Sequence, residues 1–91
     1  MDLKQFLRQL KQQDNITISF SHLGYHVRRG TTMLDTRGSH RPVKPNTREE
    51  RIRKAGNLHR ALSSACRYMS DDMRAMVGDL LACMASEGER R

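Results

Sequence analysis

Ile16-Thr17-Ile18-Ser19-Phe20 is the stretch that decides the fold. Apolar side chains alternate there with small hydroxylic ones, the period-2 pattern of a strand with one face buried and the other in water. A half-buried strand needs partners, and the residues that follow carry the punctuation for them. Gly24 and Gly30 mark turns, so residues 25–28 and 31–34 are expected as second and third strands of a small antiparallel hairpin or meander.

Toward the N-terminus, Leu3, Phe6, Leu7 and Leu10 fall at i, i+3, i+4 and i+7, with Asp2 placed to cap and Lys4, Arg8 and Lys11 on the opposite side. The spacing predicts a short amphipathic helix over residues 3–13, stopped by Asp14-Asn15. Toward the C-terminus, residues 36–46 hold both prolines and almost no apolar mass, which predicts an exposed linker. It separates a helix-and-sheet half, residues 1–35, from a helical half, residues 47–86, with a tail at 87–91.

Thr47-Arg48-Glu49-Glu50 fits a capping box, in which the hydroxyl accepts from the Glu50 amide and the Glu50 carboxylate reaches back to the cap. Beyond it, Ile52, Ala55, His59, Leu62, Cys66 and Met69 recur at alternating spacings of three and four, the seam of a helix lying along another helix. Leu58, Ala61 and Ala65 widen the stripe. Ser70-Asp71-Asp72 restarts the pattern, since a hydroxyl cap followed by acids suits a helix N-terminus. Met73, Val77, Leu80 and Met84, flanked by Met76 and Leu81, then continue it until residues 86–88. Helices over 47–69 and 71–86 joined this tightly predict an antiparallel αα-hairpin, so the expected class is α+β.

A chain of 91 residues with 36% hydrophobic side chains and no Trp has room for one domain with a thin core. Cys66 and Cys83 are too few for a disulfide framework, and Met1-Asp2-Leu3-Lys4 opens without a continuous apolar run. The expectation is a soluble cytoplasmic protein with no membrane association.

The formal net charge is +7. Residues 28–60 hold ten Lys and Arg against Asp35, Glu49 and Glu50, so they carry that whole excess and the rest of the chain is neutral. Ordinary surfaces intersperse both signs, whereas a local cluster can neutralise several phosphates or meet one acidic patch. The candidate binding residues are Arg28, Arg29, Arg37, Arg41, Pro42, Lys44, Pro45, Arg48, Arg51 and Lys54. For any one of them the competing explanation is a solvated side chain.

Chemistry finds little footing. His22 and His26 sit in a strand or turn, and His59 and Cys66 are two helical turns apart, about 10 Å of rise and too far for one ion. No metal or other cofactor is expected. With His59 and Cys66 on the seam, the thiol should be buried and protonated, and both cysteines read as small core hydrophobes. No glycine-rich phosphate loop is present, so an enzyme is the least favoured class. A helix-turn-helix is disfavoured because Asp71 and Asp72 occupy the end that would meet phosphate. Stacking is disfavoured because, with Phe6 and Phe20 in the core, only Tyr25 and Tyr68 remain. Met69, Met73, Met76 and Met84 suit either core filling or an adaptable contact face. The basic segment Arg41-Pro42-Val43-Lys44-Pro45 is either a linker or an extended ligand for a groove, including that of a prolyl isomerase.

In size, charge and its proline-containing basic loop, the chain resembles accessory proteins of temperate phages, including small modulators of host nucleases such as the anti-RecBCD proteins. That resemblance implies a non-enzymatic modulator or inhibitor in the host cytoplasm, bound through its basic surface to a host protein complex that handles nucleic acid. The alternative is a direct DNA- or RNA-binding regulator, expected to be dimeric, contacting phosphates with the same residues. A homodimer is compatible with either, because a second copy would satisfy part of the seam.

Overall fold

The computed structural model describes residues 2–38 and 41–89, with side chains described as far as Cys83. Its elements run α1 (Leu3–Asp14), β1 (Ile16–Ser21), β2 (Gly24–Arg29), β3 (Thr32–Gly38), α2 (Arg48–Ala65), a 3-10 turn (Cys66–Tyr68) and α3 (Asp71–Glu89). The class is α+β as expected, and the sheet is a three-stranded antiparallel meander in the order β1-β2-β3.

Local chemistry sets the boundaries. Asp2 caps α1 by accepting from the Gln5 amide at 2.8 Å, while the Gln5 side chain accepts from the Asp2 amide. Asn15 ends the helix in the left-handed region, φ 57°. Gly30 takes the first position of the two-residue β2–β3 turn at φ 60°, a backbone that L side chains resist. Gly24 opens β2 at φ 144°, and a Cβ there would meet the Arg37 carbonyl oxygen at 1.9 Å. Strand β3 runs on to Gly38, so three residues assigned to the linker belong to the sheet. Their backbone groups find ladder partners on β2, with Arg37 opposite Tyr25 and Gly38 opposite Gly24.

The strand pattern reads as the alternation requires. Ile16, Ile18, Tyr25 and Val27 are buried, whereas Thr17, Ser19, His26 and Arg28 face water on the open side of the sheet. Helices from both halves of the chain serve the same core: Phe6 and Leu10 of α1 and Leu58, Ala61, Leu62 and Ala65 of α2 join the sheet residues in one cluster. Met69, Met73, Val77 and Leu80 complete it. Full burial of side chains such as Phe6, Ile16 or Leu62 contributes about 1.5–3 kcal/mol each.

The two C-terminal helices follow one another across the short turn, but they are packed differently from the expected seam. α2 lies mainly on β1 and β2, and α3 touches α1. A flat sheet is covered by a wide stripe rather than a narrow one, so Leu58, Ala61 and Ala65 are buried while Ala55 and His59 are exposed and Ile52 is 60% exposed. Cys66 is only half-buried and Cys83 is exposed, which corrects their assignment as core hydrophobes. Burial still pushes the Cys66 thiol up from its ordinary value. α2 ends at Ala65, earlier than expected, and α3 continues through residues 86–88 to Glu89. Met69 and Met73 are core and Met76 is half-buried. Met84 lies outside the described side chains, as do residues 90 and 91 of the tail altogether. No described helix is long and apolar enough to cross a membrane.

Candidate functional site

The fold separates the cations that cluster in the sequence. Arg28 stands on the open sheet face opposite Met33. Arg29, its neighbour, points the other way and donates to the Tyr68 carbonyl at 2.5 Å. That contact is structural: the turn after α2 leaves carbonyls without helical partners, and guanidinium groups fill the gap. Arg74 serves the same turn, donating to the Cys66 and Met69 carbonyls at 3.1 Å each. Asp14 of α1 accepts from the Ser70 amide at 2.8 Å, so three elements pin this junction.

A second group lies in the connection and on the first turns of α2. Arg41, Pro42, Lys44 and Pro45 are exposed, and the path is fixed by main-chain carbonyls: Arg53 donates to that of Arg41 at 2.9 Å and Thr47 to that of Lys44 at 2.8 Å. Thr47 caps α2 by accepting from the Glu50 amide at 3.2 Å. The other arm of the expected box is displaced by one residue, because Glu50 accepts from the Asn46 amide at 3.4 Å and lies 3.5 Å from the His22 imidazole. Asn57 adds a bond to the Ser21 carbonyl at 2.7 Å. These contacts hold one side of the helix start to the β1–β2 turn. The other side, with Arg48, Arg51, Ile52 and Ala55, is in water, and Lys54 is exposed as well.

The third place is a cleft of about 500 Å³ between β3 and the C-terminal half of α2. A bulge creates it. Val27 pairs with Asp35 and Arg28 with Met33, so Leu34 is an extra residue and both Leu34 and Asp35 turn half-buried toward the helix. Ser64 and Tyr25 both donate to one Asp35 oxygen, at 2.5 and 2.9 Å, and the Thr36 amide donates to the other at 2.9 Å. The Ser64 and Tyr25 hydrogen bonds hold the carboxyl below its ordinary value, so it is a carboxylate at neutral pH. Tyr25 itself is raised, chiefly by burial and then by this bond. It is 4% exposed, which removes it as a stacking platform. Around this carboxylate stand Arg37, whose charge also helps to lower it, Arg60 and Arg67, with His59, Ser63 and Tyr68 on the rim.

Of the candidate residues only Arg37, expected in an exposed linker, borders the cleft; Arg60, Arg67 and Asp35, which also line it, were not among the candidates. Asp35 had a visible signal, since Met33-Leu34-Asp35 breaks strand alternation where the bulge falls. Among the described residues no group of three His, Cys, Asp or Glu is placed to hold a metal ion. His26 instead shares a hydrogen bond of 2.7 Å with Thr36 across the strands. No protein-family model, curated protein or solved structure matches the chain.

Proposed function

We propose that the protein is a non-enzymatic modulator that docks the exposed side of α2 on a nucleic-acid-processing enzyme. The observation that carries this reading is Ile52, 60% exposed, with Arg48 and Ala55 one turn away on the same side of the helix and Arg51 beside it, all in water. Cations alone would suit a phosphate backbone, which offers nothing to an isoleucine. A protein surface with acidic groups around an apolar depression satisfies both, the charges steering the encounter and the apolar centre setting the lifetime. The preference for a partner that handles nucleic acid rests on charge, because a +7 chain accumulates where phosphate is concentrated.

The alternative is direct DNA or RNA binding, favoured by Arg48 and Arg51 lying at the N-terminal end of an 18-residue helix with Lys54 following them. One experiment separates the two. The tagged chain, its Ile52→Asp variant and its Arg48→Glu/Arg51→Glu variant are used for affinity capture from a bacterial lysate treated with nuclease, and each is titrated with bare duplex. A stoichiometric nucleic-acid enzyme retained by the parent and lost by both variants supports the modulator. Tight duplex binding that falls steeply with salt, is lost on charge reversal and ignores Ile52→Asp transfers the function to the alternative.

A further inference from the structure

We infer that the cleft between β3 and α2 binds the phosphate group of a small phosphate monoester. The argument begins with what each arginine is already doing. Arg29 and Arg74 are occupied by carbonyls of the 3-10 turn. Among the described residues, no hydrogen bond or ion pair holds Arg60 or Arg67, although both border the same cleft as Arg37. The nearest anion, Asp35, does not neutralise them by pairing: its oxygens take the Tyr25 and Ser64 hydroxyls and the Thr36 amide. Three guanidiniums around one carboxylate leave a formal excess of two positive charges. A phosphate monoester carries about −1.5 to −2 at neutral pH, and its three oxygens match the forked donors of arginine.

Size and lining narrow the ligand class. A cleft of about 500 Å³ is larger than phosphate alone requires and falls in the range of small-molecule sites. Tyr68 and Leu34 supply the less polar wall for the organic part of the ester, and Ser63 a further hydroxyl. The arginines come from three different elements, β3, α2 and the 3-10 turn, so the site exists only in the folded protein. It is separate from the Ile52 surface and does not depend on it.

The test is calorimetric titration of the full chain at constant ionic strength with adenosine 5′-monophosphate, inorganic phosphate and adenosine. The nucleotide should saturate one site, phosphate should compete for it more weakly, and adenosine should not bind. Arg60→Gln and Arg67→Gln, both at exposed positions, should each weaken the nucleotide by roughly tenfold, with circular dichroism unchanged. Arg48→Gln/Arg51→Gln, which removes the same kind of charge from the other surface, should leave the affinity as it was. The inference is overturned if the nucleotide fails to saturate by about 1 mM, or if all these variants weaken it equally, as a diffuse charge effect would.

Discussion

In the C-terminal half of α2, Leu58, Ala61, Leu62 and Ala65 are buried on the sheet, whereas in its N-terminal half Arg48, Arg51, Ile52 and Ala55 stand in water. Both halves belong to one continuous helix whose apolar residues recur at three and four. The difference is the presence of something to bury against. Helical periodicity says which residues share a side, and the apolar face of the sheet, centred on Ile18 and Val27, extends under only part of the helix. The half beyond it is held by hydrogen bonds, through Thr47, Glu50, Arg53 and Asn57, and leaves Ile52 and Ala55 exposed.

The largest effect expected from this contrast is at Leu62, fully buried in the core. Leu62→Asp places an unpaired charge among apolar side chains and should cost at least about 4 kcal/mol, enough to unfold so small a domain. Native helicity by circular dichroism at 25 °C would remove the distinction between the two halves. Next comes Asp35, which ties β3 to the buried half of α2. Asp35→Asn weakens the bonds from Ser64 and Tyr25 and should cost about 1–2 kcal/mol at neutral pH by urea denaturation.

The same variant carries a pH signature. The folded carboxyl titrates below its ordinary value of 3.8, so its stabilisation is present above that pH and disappears as pH falls through the folded value. The parent should therefore lose stability more steeply below pH 3.8 than Asp35→Asn does, and parallel acid-unfolding curves would disprove the assignment.

Smaller effects belong to the projecting half. Gly56 lies in the exposed part of α2 and a Cβ there meets nothing within 4 Å. Gly56→Ala should stabilise by about 0.5–1 kcal/mol through backbone entropy alone, read as a higher Tm. Ile52→Asp should change stability by less than about 0.5 kcal/mol, since that side chain is mostly exposed on the first turns of the helix. A loss comparable to that of Leu62→Asp would mean that both halves of α2 are equally part of the core.

Much of the fold was legible because it is written in local chemistry. The alternation of Ile16, Ile18 and Phe20, the caps at Asp2 and Thr47, and the glycine at position 30 each act over a few residues. The site was legible only in part. Arg37 was marked by the charge cluster, but Arg60 and Arg67 are separated from it by more than twenty residues, and no spacing rule links a strand end to the far half of a helix. Arg28 and Arg29 make the point most sharply: adjacent in sequence and equal in charge, they end on opposite faces of one strand, one in water and the other capping a carbonyl.

The sequence by itself determined the element order, the sign and position of the charge, and which strand face is apolar. Propensity, capping and periodicity are properties of neighbours along the chain. Only the tertiary structure decided which stripe of α2 is covered, which arginines are spent on carbonyls and which surround the cleft. Those outcomes depend on where the apolar face of the sheet stops and where the bulge at Leu34 turns Asp35, and both are set by packing between segments far apart in the chain.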